Sequence, residues 1–213
     1  MLPAAMEVEQ LPRGRHRLTR EQVMTSQRER LLVAMADAVA ELGYAKTSVA
    51  EVIRRAGVSR ETFYEQFQNK EDAFLAAYDG AATIVAHEMG DELRTVFTRA
   101  SAEERLEAIL GRYLEALASE PAVARTFLVE VYAAGPEALA RRVEVQQRFV
   151  DLVAMIAGAE DERQRFACEA IVAAVSALVT QRICAGRGAE LEELREPVRD
   201  LAATLLTAVG LSD

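Results

Sequence analysis

The chain has 213 residues, 51% of them hydrophobic and 28% charged, and these proportions exclude a disordered or fibrous protein. Two cysteines are too few for a disulfide framework, and no apolar run follows the basic residues near the N-terminus, so we expect a cytoplasmic protein without a signal peptide. The net charge is −9, yet residues 12–70 carry 11 Lys and Arg against 7 Asp and Glu. This split indicates either a nucleic-acid-binding face near the N-terminus or chance asymmetry.

The first predicted segment is a flexible arm over residues 1–18, which lack a sustained hydrophobic period. Its second half is basic, and it either reaches DNA or remains a solvated tail. Thr19 followed by Gln22 predicts a capping box at the start of the first helix. Gly43 predicts the end of that helix in a left-handed conformation.

Short helices follow. Thr47 and Ser48 provide an N-cap signal for a helix that Gly57 ends, Ser59 caps the next helix, and Asn69 caps a fourth. Two short helices joined by a tight turn have the form of a helix-turn-helix. The second is polar on its outer side, as expected of a helix that enters the major groove of DNA.

The rest of the chain predicts helices, with no alternating strand pattern. The expected ranges are 102–119, 122–134, 137–157 and 161–185, and a last helix has Pro197 in its first turn. We therefore predict an all-α fold of about nine helices, with a three-helix helix-turn-helix domain over 19–70 and a larger helical domain over 71–213. The longest apolar stretch, 167–179, is too short for a membrane span.

The segment 47–67, TSVAEVIRRAGVSRETFYEQF, and the Asn-Lys-Glu at 69–71 resemble the DNA-binding signature of the TetR family of transcriptional regulators. The most specific part is the Ala-Gly-Val-Ser turn followed by Thr-Phe-Tyr, Phe and Lys-Glu. Two positions depart from the common pattern: Gln66 stands where His is frequent, and Glu61 stands where a small residue is frequent. Both departures affect operator preference.

The resemblance implies a sequence-specific regulator, expected to be a repressor, that binds a near-palindromic operator in double-stranded DNA as a homodimer. Arg60 is expected to bind guanine, or alternatively a phosphate or solvent, and Thr47 either meets a phosphate or only caps its helix. The candidate DNA contacts are Thr47, Ser48, Ser59, Arg60, Thr62, Tyr64, Gln66 and Lys70. We find no metal-ligand spacing, phosphate loop or nucleophile elbow, and we expect no metal, cofactor or enzymatic activity.

The resemblance also implies that the larger domain binds a small-molecule effector in an apolar cavity. The candidate ligand residues are Tyr113, Phe127, Glu130, Tyr132 and Phe149; the alternative is that they belong to the ordinary core. Glu130 lies in an apolar run, so its carboxylate must be paired or neutralised. Its expected partner is an arginine of the same chain, and the alternative is a cationic ligand.

The last two long helices are apolar beyond what one buried face needs. The resemblance implies that they pair with a second copy in a four-helix dimer interface. The alternative is that both helices are buried in the core of a monomer. The candidate interface residues are Ile171, Ala174, Leu178, Leu201 and Leu205. Three alternatives to a ligand-controlled repressor remain: an activator or ligand-independent regulator on the same fold, a helical enzyme or carrier without DNA function, and a non-specific architectural protein.

Overall fold

The computed structural model describes residues 19–96 and 101–211, and all regular structure in these ranges is helical. Short 3-10 segments at Glu130–Ala133 and Gly188–Leu194 lie between longer helices. The α-helices in chain order are α1 Arg20–Leu42, α2 Val49–Ala56, α3 Arg60–Gln66, α4 Lys70–Val96, α5 Ala102–Ser119, α6 Pro121–Leu128, α7 Pro136–Ala157, α8 Glu162–Cys184 and α9 Arg195–Ala208. The prediction of an all-α fold with about nine helices is confirmed for this part of the chain. The predicted arm over 1–18 lies outside the described residues.

Side-chain caps define the starts of the N-terminal helices. Thr19 and Gln22 form the predicted capping box of α1. The hydroxyls of Ser48 and Ser59 accept hydrogen bonds from the third backbone N–H that follows each of them, at 3.2 and 3.0 Å. These bonds satisfy N–H groups that have no partner within the helix, and they set where α2 and α3 begin.

Gly57 forms the turn between α2 and α3 in a left-handed conformation, with φ +63° and ψ +38°. This conformation is unfavourable for residues that carry a Cβ atom, which explains why glycine occupies the turn. Gly43 differs from the prediction: its φ is +80° but its ψ is 152°, so the chain leaves α1 in an extended direction.

The first three helices pack around a small apolar core. Leu31 and Met35 of α1, Val52 of α2, and Phe63 and Phe67 around α3 are all buried. Helix α1 also packs against α4 and α6, so the core continues into the C-terminal part. The division at residue 70 therefore remains a prediction, because α4 begins at Lys70 and belongs to both packing arrangements.

The C-terminal part is built from α4 to α9. Helix α4 packs against α5, α5 against α7 and α9, and α8 against both α7 and α9. The predicted helix over 122–134 is shorter than expected: α6 ends at Leu128, and Glu130–Ala133 tightens into a 3-10 turn. Such tightening is common at helix ends, and here Gly135, at φ +107°, redirects the chain before Pro136 starts α7.

Helix α8 leaves much of its apolar surface uncovered. It is long and apolar enough to cross a bilayer by length and composition, a property shared by interior helices of globular proteins, yet only 22% of its most apolar window is buried. Phe166 is 69% exposed, and Ala173 and Ala177 are exposed on the same helix. Phe166, Ala173 and Ala177 thus form an exposed apolar face on α8, with the exposed Glu169 beside them.

Candidate DNA-binding and ligand-binding sites

Helix α3 has a buried aromatic back and an exposed polar front. Phe63 is fully buried and Phe67 is nearly so, and their ring centroids lie 5.7 Å apart. Arg60 and Tyr64 are exposed on the same helix. Since the aromatic residues anchor one side against α1 and α2, the opposite side is free to enter a groove of DNA.

Arg60 and Tyr64 form a pair on this front. The Arg60 guanidinium carbon lies 5.4 Å from the centroid of the Tyr64 ring, and the ring rests edge-on against Phe63 at 5.3 Å. Tyr64 is 46% exposed. Arg60 pairs with no carboxylate in residues 19–96 or 101–211, so its N–H donors are available to a base or a phosphate.

Other candidates on α3 have local partners. Ser59 Oγ lies 2.9 Å from Thr62 Oγ1, and Ser59 is the N-cap of α3. Gln66 Nε2 donates to the Met24 carbonyl at 3.5 Å, while Arg28 donates to the Gln66 carbonyl at 3.4 Å. These contacts tie α3 to α1, and Ser59 and Thr62 keep acceptor capacity at the helix start.

Thr47 and Lys70 are turned inward. Thr47 is 2% exposed and its hydroxyl donates to the Gly43 carbonyl at 2.9 Å, which favours a local role over a phosphate contact. Lys70 Nζ donates to the Tyr44 carbonyl at 3.0 Å and lies 4.0 Å from the centroid of the Tyr44 ring. Burial lowers the pKa of Lys70. Lys70 uses one of its three N–H donors in this hydrogen bond, and its contact with a phosphate stays a prediction.

Ser48 and Lys46 remain exposed at the start of α2. Lys46 was missed by the sequence analysis, although its place directly before the Thr-Ser cap signal was visible there. Its ammonium group and the first N–H groups of α2 are suited to the same phosphate.

The second candidate site is an apolar cavity of about 220 Å³ lined by residues of α4 to α9. Tyr113, Phe127 and Phe149 line it, as predicted for ligand-binding residues. The Phe149 centroid lies 6.0 Å from that of Tyr113 and 6.4 Å from that of Phe127, and Phe127 stacks on Tyr78 at 5.3 Å. The cavity thus has an aromatic wall contributed by four helices.

Glu130 and Tyr132 lie outside this cavity, which corrects their predicted placement. Glu130 is 7% exposed, pairs with Arg125 at 3.1 Å, and accepts the Tyr44 N–H at 2.8 Å. The expected arginine partner is therefore present. Tyr132 is 55% exposed because the 3-10 turn that follows α6 directs its ring outward, and its hydroxyl accepts from Arg142 Nε at 2.9 Å.

Arg142 is one of the cavity residues that the sequence analysis missed. It lies on α7 beside the similar Arg141, and no spacing in the sequence distinguishes the two. Arg142 lines the cavity, and Arg141 instead pairs with Asp79 and Glu144 at 3.2 and 2.9 Å. Only the assembled helices reveal which arginine faces the interior.

The candidate dimer residues differ in how exposed they are. Ile171 is 6% exposed and lines the cavity, so it faces the interior of its own chain, which corrects the prediction. Leu201 is 39% exposed. Ala174, Leu178 and Leu205 are half-buried. The more exposed apolar residues of α8 are those of the face described above.

Comparison with known proteins shows what the N-terminal part resembles. Residues 31–77 match the family model described as bacterial regulatory proteins, tetR family. The helix-turn-helix of this chain is therefore similar to the DNA-binding part of TetR-family regulators. The matched range contains all of α2 and α3, so the TetR signature coincides with the helix-turn-helix just described.

Two curated proteins that this chain resembles are transcription regulators. The fatty acid metabolism regulator protein of Bacillus subtilis (strain 168) is 26% identical over 90 residues, which span 42% of this chain and 45% of that protein. The HTH-type transcriptional activator FasR of Mycolicibacterium smegmatis is 24% identical over 170 residues, spanning 78% and 76%. The first match thus spans less than half the length of the Bacillus relative.

Solved structures share the TetR fold over most of the chain. The fatty acid degradation regulator FadR from Bacillus halodurans superimposes with a TM-score of 0.72 at 21% identity, covering 83% of this chain and 94% of that one. FadR from Bacillus subtilis, solved in complex with stearoyl-CoA, has a TM-score of 0.68 at 19% identity, covering 82% and 96%. These likenesses extend the shared fold beyond the DNA-binding signature.

Proposed function

We propose that this chain is a cytoplasmic, sequence-specific repressor of the TetR family that binds a near-palindromic operator as a homodimer. The observation that carries the proposal is α3, whose buried Phe63 and Phe67 direct Arg60 and Tyr64 outward. A recognition helix held in this way reads base edges, while the N-terminus of α2 contacts the phosphate backbone.

A homodimer is proposed because α8 leaves an apolar face exposed beside α9. Pairing of these helices with their copies buries that face and repeats the recognition helix about a two-fold axis. Two such helices occupy successive major grooves when they stand about 34 Å apart. The operator then mirrors the symmetry of the dimer.

The cavity supports control by a small, largely apolar ligand. Its wall is mainly aromatic and aliphatic, with a few polar groups, as is usual for small-molecule sites. One relative carries stearoyl-CoA and another is named for fatty acid metabolism. These names favour a ligand with an acyl chain. An activator is the second candidate, because the FasR relative is an activator.

A contact path joins the cavity to the helix-turn-helix. Phe127 of α6 lines the cavity, and Glu130, just after α6, holds the Tyr44 N–H in the loop before α2. A ligand that displaces Phe127 therefore displaces the support of that loop. Coupling requires the ligand to prefer one arrangement over the other.

Selection of bound sequences from a random duplex pool tests the DNA function. We expect an enriched palindrome and a steep loss of affinity as salt rises, since bound phosphates release counterions. Arg60→Ala and Tyr64→Ala are expected to weaken specific binding about tenfold to a hundredfold.

Arg187→Ala is the matched control, because it removes the same charge from an exposed position after α8. If Arg60→Ala and Arg187→Ala weaken DNA binding equally, Arg60 contributes only through the net charge of the chain. Absence of any enriched sequence for a folded dimer, after stripping of bound ligand by denaturation and refolding, would overturn the proposed regulator.

A further inference from the structure

The cavity contains an arginine whose charge is not neutralised within the chain. Arg142 and Arg199 both line the cavity. Arg199 pairs with Asp200 at 3.0 Å and lies 3.8 Å from Glu196. Arg142 pairs with no carboxylate in the described ranges. A half-buried cation at an apolar wall is stabilised by an anion. Glu103 and Glu107 also line the cavity, but neither forms an ion pair with Arg142 among the described residues, and Glu107 lies 3.6 Å from Arg195 instead.

All the hydrogen-bond partners of Arg142 are neutral. Its Nε donates to Tyr132 Oη at 2.9 Å, Nη1 to Gln146 Oε1 at 3.1 Å, and Nη2 to Ser176 Oγ at 3.1 Å. These bonds fix the plane of the guanidinium. They also leave a second N–H on each Nη without a described acceptor, and two such groups match the two oxygens of a carboxylate.

Tyr78 and Tyr113 line the same cavity as Arg142. Burial raises the pKa of both tyrosine hydroxyls, and the positive charge of Arg142 opposes this shift only in part. Both rings line the cavity, and neither hydroxyl has a hydrogen-bond partner among the described residues. Each phenol is therefore a neutral O–H donor that lacks an acceptor. Arginine and two phenols together provide a positively charged cluster of donors.

We propose that Arg142, Tyr78 and Tyr113 bind the carboxylate of a ligand whose apolar chain fills the cavity. This inference rests on the proposed ligand site and names its ligand class: a free, ionised apolar carboxylic acid. A thioester of the same acid presents a neutral carbonyl at this position and leaves the Arg142 charge unneutralised.

The cavity has a volume of about 220 Å³ and a mainly apolar lining. Octanoate combines a carboxylate with an unbranched apolar tail, so it is a suitable probe for this site.

Calorimetric titration of the full chain with octanoate, 1-octanol and octanoyl-CoA tests the inference. We expect octanoate to bind most tightly to the wild type. Arg142→Gln is expected to weaken octanoate binding about tenfold to a hundredfold, the usual loss for a hydrogen bond to a charged group, and to leave octanol binding unchanged. Tyr113→Phe keeps the ring in place and is expected to weaken octanoate binding several-fold.

Arg141→Gln is the matched control, because Arg141 lies on the same helix and is ion-paired outside the cavity. The inference is overturned if octanol or octanoyl-CoA binds the wild type as tightly as octanoate, or if Arg141→Gln and Arg142→Gln weaken octanoate equally. If Arg142→Gln fails to fold by circular dichroism, Tyr113→Phe decides, and unchanged octanoate binding there contradicts the proposed site.

Operator binding without ligand separates this inference from the proposed function. A chain that binds its operator but not octanoate retains the regulatory proposal and loses only the carboxylate site. A chain that binds octanoate through Arg142 but enriches no DNA sequence retains the ligand site and loses the regulatory proposal.

Discussion

Glu130 is a buried carboxylate whose partners belong to different parts of the fold. Arg125 is on the same helical segment, and the Tyr44 N–H is in the loop before α2. Glu130→Gln removes the charge that Arg125 faces and weakens the bond to Tyr44. We expect a loss of about 1–3 kcal/mol in the free energy of unfolding, measured by urea titration.

Glu193→Gln is the control for this substitution, since Glu193 is exposed and has no ion pair among the described residues. Equal stability of the two variants would show that the Glu130 contacts contribute nothing measurable.

The contacts of a single residue could be predicted from the sequence where its partner is close by in the chain. Glu130 in an apolar run required a partner, and the arginine five positions earlier in the chain lay within reach. The Tyr44 N–H is 86 residues away, so only the fold reveals that bond. Lys70 was similarly expected at a phosphate, and its inward position depends on the ring of Tyr44.

Glu51 belongs to an ion-pair cluster on α2. Its carboxylate binds Arg54 and Arg55 at 2.6 and 2.7 Å, and Arg55 links α2 to α1 by pairing with Glu41 at 2.7 Å. The hydrogen bonds from Arg54 and Arg55 lower the pKa of Glu51 from 4.5 to about 2. Because this pKa is lower in the folded state, the stabilisation is complete above pH 4.5 and is lost as the pH falls towards 2.

We therefore expect Glu51→Gln to make stability less dependent on pH over that interval, as measured by thermal unfolding at a series of acidic pH values. Glu61→Gln is the comparison, since Glu61 forms no ion pair in the described part of the chain. Parallel pH curves for wild type and Glu51→Gln would contradict the expectation.

The exposed face of α8 allows a prediction about the proposed dimer interface. Ala173→Arg places a charge at the centre of the apolar face. If the proposed dimer forms through this face, the variant is expected to be a monomer in sedimentation equilibrium, because two charges would be buried against each other. Ala118→Arg, at an exposed alanine of α5, is expected to leave the dimer intact. A dimer that survives Ala173→Arg would place the interface elsewhere.

Helix boundaries were predictable wherever a cap is encoded locally. The starts of α1, α2 and α3 coincide with Thr19, Ser48 and Ser59, since each hydroxyl bonds a backbone N–H three residues later. The end of α6 was not predictable, because apolar spacing through 122–134 is compatible with either an α-helix or a shorter helix followed by a 3-10 turn.

For the whole molecule, we predict reciprocal coupling between the two sites. If octanoate weakens operator binding by some factor, the operator must weaken octanoate binding by the same factor, typically 5- to 150-fold. Glu130→Gln is expected to reduce this factor while leaving octanoate affinity unchanged in the absence of DNA. Titration of octanoate with and without operator, and of operator with and without octanoate, measures the coupling factor twice. Unequal values in the two experiments would indicate a third linked process.

The family signature and helical periods were enough to predict the architecture, because both are local in the sequence. The grouping of Tyr78, Tyr113 and Arg142 could not be predicted in this way. These residues come from three helices and line one cavity only after the helices have packed. The asymmetry of charge along the chain was visible from composition, but the pairing of Arg54 and Arg55 with Glu51 shows that net charge overstates the number of free cations near DNA.

The bond between Glu130 and Tyr44 limits how far this protein is modular. A chimera that joins the first 69 residues to the C-terminal part of another regulator separates Tyr44 from both Glu130 and Lys70. The new host must then supply a carboxylate after its sixth helix and a cation at the start of its fourth. Transfer of the helix-turn-helix to another regulator is thus expected to require partner residues that lie outside α1, α2 and α3.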